Sequence, residues 1–240
     1  MTPLPISISD AAARLSASST HIIVCDTCAL LDIIRLLLPN RSENVTALNA
    51  TLTAVDAFRG LIDSGQATLV CPSPVPQEWF THATRLREET TRQLEQIESE
   101  FLKSRAVAAH AGISVASVSL PAHAIAQHLY DISERLLASS IVLAKEDGPS
   151  LRATDRAAAN IAPASKGAIK DCLIYEHMIE LFDNLTLGRP SGKRILLTSN
   201  TDDFCNDKKR PKVPLATELA QRGIELCTRW DWAHSVIKVT

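Results

Sequence analysis

Four acidic residues of the chain stand where an apolar run ends or a helix begins. Asp26 closes the run His21–Cys25 (HIIVC). Glu78 follows a second run, Thr68–Cys71 (TLVC), after Pro72, Pro74 and Pro76 and at the start of a long helical pattern. Asp171 lies in the first turns of a helix that opens near Ala168 and runs to about Asn184. Asp203 ends the stretch Ser199-Asn200-Thr201-Asp202-Asp203, into which a third run, Arg194–Thr198 (RILLT), empties. An acid at the carboxyl end of a buried strand, or in the helix turn that follows, stands at the rim where open α/β sheets place their ligands. Carboxylates crowded at one rim repel each other, so their co-location calls for a cation. An all-oxygen donor set without convergent His or Cys selects Mg²⁺ or Mn²⁺ over zinc. Two such ions about 4 Å apart clamp a scissile phosphate and acidify an attacking water, and no side-chain nucleophile is then needed.

Around these acids stand further candidates, each with a plainer reading. Asn200 offers an oxygen without charge, and Asp203 supplies the charge it lacks. Thr198 either bonds a ligand or satisfies the turn. Lys166 and Lys170 flank Asp171, and Lys208, Lys209 and Arg210 belong to the run Asn206–Lys212 (NDKKRPK). All five are candidates for phosphate contact; the plainer alternative is a solvated surface. His82 shares a helix face with Glu78 but has no second His at a partner spacing, so it reads as a partly exposed structural residue. Asp32 reads as a solvated break in an apolar face. Singly, Asp26 would be a helix cap and Glu78 and Asp171 first-turn acids that complement the helix dipole. As an ordered set they favour a site.

The elements that must position these residues alternate between strands and helices. Ser9-Asp10 caps a short Ala-rich helix to about Ser16. Helices are expected over Ala29–Leu38, Val45–Ser64, Gln77 to about Arg105 and Ala122–Leu143, and a short one over Leu215–Arg222 before a fourth strand, Ile224–Cys227. Lys145–Gly167, rich in Ala, Ser and Pro and without a sharp period, reads as a linker. Strands separated by helices pair in parallel through right-handed crossovers. The expected fold is α/β, a small parallel β-sheet sandwiched between helices, formed as a single domain over 1–240 with a helical insertion at about 80–145.

Composition excludes little. The 240-residue chain is 45% apolar and 22% charged with a formal net charge of −2, which fits a globular protein and does not announce a nucleic-acid binder. No signal peptide is visible, and the strongest apolar run, Ala29–Leu38, is broken by Asp32 and Arg35 and too short to span a bilayer, so a cytoplasmic location without membrane attachment is expected. The six cysteines fit that reading as small hydrophobes. Cys25 and Cys28 form a C-x-x-C spacing, yet Cys25 ends a strand beside Asp26 and no second pair completes a zinc site.

The order strand-Asp-Thr at Asp26, Pro-rich strand exit with Glu78, helix with Asp171, and strand-Thr-x-Asn ending at Asp203-Phe204 resembles the PIN-domain nucleases over roughly Ile22–Cys227. The resemblance implies a metal-dependent ribonuclease acting on single-stranded RNA. Asp26, Glu78 and Asp171 would bind Mg²⁺ or Mn²⁺ directly or through water, with Asp26 as the bridge and Asn200 and Asp203 completing the set. Many relatives carry Asp at the position of Asn200, which puts a second metal in question. The family includes toxin components of toxin-antitoxin pairs, which implies an antitoxin or inhibitor protein, or a homodimer, as partner. Two other readings stand beside it. A catalytically degenerate PIN-like module would bind RNA or protein. A haloacid-dehalogenase-type phosphatase also uses a strand-Asp start and a later Thr-Ser-Asn, but needs a second acid where Cys28 stands.

Overall fold

The structure is a computed structural model and describes residues 3–18, 20–39, 44–164, 169–185 and 192–238. Its strands are β1 His21–Cys25, β2 Ala67–Cys71, β3 Ile141–Val142, β4 Arg194–Leu197 and β5 Ile224–Cys227. They form one all-parallel sheet in the order β3-β2-β1-β4-β5. The helices among the described residues are α1 Ile8–Ser16, α2 Thr27–Ile34, α3 Val45–Asp63, α4 Pro74–His110, α5 Ala122–Ala138, α6 Asp147–Ala158, α7 Ile169–Asn184, α8 Thr201–Phe204, α9 Val213–Gln221 and α10 Trp230–Lys238. None of them is long and apolar enough to cross a membrane.

Side chains of a strand alternate between the faces of its sheet, and a parallel sheet is covered on both. Ile23, Cys25, Leu69, Cys71, Ile195 and Leu197 accordingly pack with residues of α2, α3, α4, α5 and α10. Ile22, Val24, Val70, Leu196 and Ile224 face the other way, onto α1, α7 and α9. The register sets Ile23 between Leu69 and Ile195, so β1 runs through the middle of the core. Chain order turns one way from β1 to β2 and β3, and the other way from β4 to β5. The carboxyl ends of β1 and β4 therefore flank the point where the topology reverses, where a crevice opens. Gly192 permits the approach to β4: a Cβ there would stand 2.1 Å from the Thr20 carbonyl oxygen.

The expected α/β architecture is present, with five corrections. Lys145–Gly167 is not a linker, because α6 occupies Asp147–Ala158; residues 165–168 lie outside the description. The helix expected to Leu143 stops at Ala138, and Ile141–Val142 adds an edge strand. The first crossover helix covers Thr27–Ile34 rather than Ala29–Leu38, and α1 is capped by the Ser7 side chain, which accepts from the Asp10 amide. A C-terminal helix, α10, follows β5 and seals the sheet with Trp230, whose indole N–H donates to the Ala29 carbonyl at 3.0 Å.

The stretch expected as an insertion is the antiparallel pair α4 and α5. Its near end belongs to the core: Trp79 Nε1 donates to Ser133 Oγ at 2.8 Å, and Ser133 Oγ donates to the Leu30 carbonyl at 2.8 Å. Thr90 Oγ1 adds a bond to the Ile34 carbonyl at 2.9 Å. Leu94 is the last buried residue of α4, and four further turns extend beyond it.

Candidate active site

Asp26 continues β1 by one residue, its amide donating to the Leu197 carbonyl at 2.9 Å, before the chain turns into α2. Although it occupies the N-cap position, its carboxylate makes no capping bond. It accepts instead from Thr198 Oγ1 at 2.6 Å, and Thr198 Oγ1 accepts from the Asn200 amide at 3.1 Å. Both Asp26 and Thr198 are buried. Burial raises the Asp26 pKa above the carboxylate norm; the Thr198 bond opposes this, and the charge of Glu78 adds to it. The Thr198 hydroxyl is buried and its bond goes to Asp26, so what it does in the fold is to position that acid.

On α4, Glu78 points at the same rim. Its Oε2 accepts from Thr27 Oγ1 at 2.9 Å, and its Oε1 stands 3.5 Å from Lys170 Nζ. Pro74 opens α4 without an N–H to satisfy, and the helix direction brings the amino-terminal partial charge of α4 toward Glu78.

Asp171, in the first turn of α7, and Asp203, in the short α8, meet across Asn200. Asn200 Nδ2 donates to Asp203 Oδ2 at 2.7 Å and to Asp171 Oδ2 at 3.3 Å, while its Oδ1 faces the Asp203 amide at 3.4 Å. The amide of Asn200 thus bridges two carboxylates and its oxygen caps α8, so this oxygen is not presented outward. Asp171 is pushed up to about 8, first by burial, then by the charges of Asp26 and Asp203 and a hydrogen bond with Asp203, with Asn200 opposing. Cys28 registers the same field: burial first, then Asp26, Asp32, Asp171 and Glu78, raise its thiol pKa. Asp26, Glu78, Asp171, Asn200 and Asp203 are therefore drawn to one rim from four different segments.

Among the described residues no three His, Cys, Asp or Glu side chains form a ready coordination cage. The donors still suit a hard cation, since Mg²⁺ keeps several of its waters and is held through one or two carboxylates. Asp171, whose pKa burial and the neighbouring acids raise, has the chemistry of a ligand that a cation would stabilise in its charged form.

The other candidates divide. Lys170 reaches the rim through Glu78, while Lys166 lies outside the described residues. Lys208, Lys209 and Arg210 are exposed on a loop closed by the Cys205–Pro211 bridge, with Asn206 Oδ1 accepting from the amides of Lys208 and Arg210. Lys212 Nζ ties this loop to α8 through the Asp202 carbonyl at 2.7 Å. Asp32 is buried and not solvated, 3.5 Å from Arg35. His82 lines a cleft of ≈ 300 Å³ beside Glu78, with Lys145, Lys170 and Leu173 among its walls. Thr27 and Lys145 were not singled out in the sequence. Thr27 carried a signal in directly following Asp26, but Lys145 carried none, because the strand that delivers it was read as helix.

Fold and site together define an all-parallel α/β domain with its acids collected where the sheet topology reverses. The family model of the PIN domain matches residues 23–204, most of the chain, and the protein belongs to the PIN-domain family. PIN domains are generally nucleases and typically use divalent metals. Comparison with curated proteins and with solved structures gives no match.

Proposed function

We propose that the protein is a Mg²⁺- or Mn²⁺-dependent endoribonuclease that hydrolyses phosphodiester bonds of single-stranded RNA. The observation that carries this reading is the meeting of Asp26, Glu78, Asp171 and Asp203 at one rim, each held by a neighbour's hydrogen bond or electrostatic field. Asp26, Asp171 and Asp203 would hold the ion, directly or through water, with Glu78 beside them. A divalent cation there neutralises phosphate charge and lowers the pKa of an attacking water. The chain's own residues do the positioning. Thr198 fixes the Asp26 carboxylate, Thr27 fixes Glu78, and Asn200 keeps Asp171 and Asp203 at one place. Lys170 and the Lys208–Arg210 loop supply positive charge at the margins for the strand.

Cleavage of a labelled single-stranded RNA tests the reading. Activity is expected with Mn²⁺, with loss of at least about a hundredfold on chelation by EDTA or in Asp26→Asn, the order of effect for removing one electrostatic catalytic group. Hydrolysis unchanged in either condition overturns it.

One observation favours a second reading, a PIN-like module that binds without cutting: Asn200 spends its amide on the two carboxylates, and no ready three-ligand cage is present among the described residues. Wild type that holds no Mn²⁺ at millimolar concentration in calorimetry decides for the module. The phosphatase alternative is left behind by the family and by Cys28, whose thiol stands where that chemistry needs an acid. A narrower toxin role, with an inhibitor protein or a second copy as partner, uses the same chemistry; a small adjacent partner gene is the observation that supports it.

A further inference from the structure

The cleft beside Glu78 lies between the first turns of α4, the segment leaving β3, and the start of α7. Its ≈ 300 Å³ are lined by Pro74, Gln77, His82, Lys145, Lys170 and Leu173, among others. Glu78 is the wall it shares with the acidic rim: one carboxylate oxygen faces Thr27 and the other faces Lys170. Lys145 lines the cleft from the segment after β3 and makes no ion pair among the described residues, and Lys170 is 64% exposed with a contact of 3.5 Å to Glu78. An exposed pair of that length is weak, so Lys170 leaves Glu78 readily when a stronger anion arrives or when Glu78 turns to a cation. Two lysines then line one cavity, with apolar walls at Pro74 and Leu173 and hydrogen-bonding groups at Gln77 and His82. That combination matches one nucleotide: a phosphate for the two cations, a base between apolar walls, and polar edges to meet it.

Resting on the nuclease reading of the adjacent acids, we infer that this cleft is the subsite for the nucleotide next to the scissile phosphate, held by Lys145 and Lys170. Lys170 exchanges Glu78 for the strand's phosphate as the rim takes up its cation. The cleft accepts a splayed single strand, since a base can enter it only when unpaired. The segment after β3 thereby acquires a role in substrate binding that its residue pattern does not advertise.

Binding of a fluorescently labelled RNA tetranucleotide, measured by anisotropy over a series of salt concentrations in Mn²⁺ and in EDTA, separates this inference from the catalytic one. The double variant Lys145→Ala/Lys170→Ala is expected to bind about tenfold more weakly. Its slope of log affinity against log salt should be shallower by about 0.7, because the two lysines share one phosphate and each phosphate neutralised on a single strand contributes roughly 0.7. Lys103→Ala/Arg105→Ala, a double change far along α4 beyond the reach of a tetranucleotide, is the charge-matched control and should bind like wild type. Wild type that cleaves RNA while the double variant keeps its affinity and salt slope overturns the subsite and leaves the nuclease standing. Lysine-dependent binding by a protein that never cleaves supports the subsite and ends the catalytic reading. No binding by wild type in either buffer overturns the subsite outright.

Discussion

Asn200 is the uncharged member of the acidic rim, and its geometry says what it does there. Its amide group neutralises nothing but gives hydrogen bonds to Asp171 and Asp203 at once, which holds two mutually repelling carboxylates together in the absence of an ion. Asn200→Asp removes those donors and sets a third carboxylate between the two. In EDTA we expect a loss of about 1–3 kcal/mol, the cost of leaving charged groups without their hydrogen bonds, which lowers Tm by a few degrees. Saturating Mn²⁺ should restore wild-type stability, and calorimetry should show tighter Mn²⁺ binding than in wild type. An unchanged Tm in EDTA would mean that the bridge is not stabilising. The four acids themselves were legible in the sequence because each adjoins a strand end or helix start, positions readable from local pattern. The roles of Thr198 and Asn200 were not, since they depend on which side chains face them from segments far off in the chain. Asp32 was misread for the same reason: an acid in an apolar helix is buried only if tertiary packing closes over it.

At the scale of elements, strands β1, β2, β4 and β5 and the long helices were legible through β-branched runs and apolar periods. Two elements were not. β3 is two residues long and too short to show an alternation. α6 buries only Pro149 and Ala153 and has no apolar stripe to read; charge holds it in place. Arg156 Nε donates to buried Glu176 at 2.7 Å, its Nη2 to Glu218 at 2.9 Å and its Nη1 to the Ala162 carbonyl at 2.7 Å, and its guanidinium stacks over Tyr175. Arg152 gives Glu176 a second partner at 3.0 Å. This latch presses α6 against α7, the helix that carries Asp171. Arg156→Ala strips buried Glu176 of one of its two cations and is expected to cost about 2 kcal/mol, within the 1.5–3 typical of hydrogen bonds to charged groups. For a chain of this length that is a Tm fall of roughly 4–8 °C. Arg152→Ala, at a more exposed side chain, should cost less. Equal losses for the two would show that burial at Glu176 does not set the energetics.

For the whole molecule, the acidic rim sets a dependence of stability on pH that the small net charge conceals. Folded protein holds the Asp171 proton more tightly than the unfolded chain does. This group therefore favours folding fully below the ordinary carboxylate value of 3.8, and that contribution is lost as the pH rises through about 8. Asp26, raised in the same direction by burial, adds to the fall. Buried His177 acts with the opposite sign: its lowered pKa favours the fold above the ordinary imidazole value of 6.5 and disfavours it below. The raised thiols begin to act near the ordinary value of 9.0, where the unfolded chain starts to release those protons. Between roughly pH 7 and 8.5, a window set by these values, the carboxylates are the groups that move. In EDTA, Tm should fall across that window, by at most about 1.4 kcal/mol per pH unit for one proton and by less where solvent screens the partly exposed carboxylate. Saturating Mn²⁺ favours the ionised rim, so its stabilisation should grow with pH and flatten the profile, reaching about 2.7 kcal/mol at a hundred times the dissociation constant. Scanning calorimetry at matched pH in the two buffers reads both trends, and Asp171→Asn should abolish most of the fall in EDTA. Parallel profiles with and without Mn²⁺ would mean that the ion does not engage these acids, and a fall that survives in Asp171→Asn would place the titrating group elsewhere.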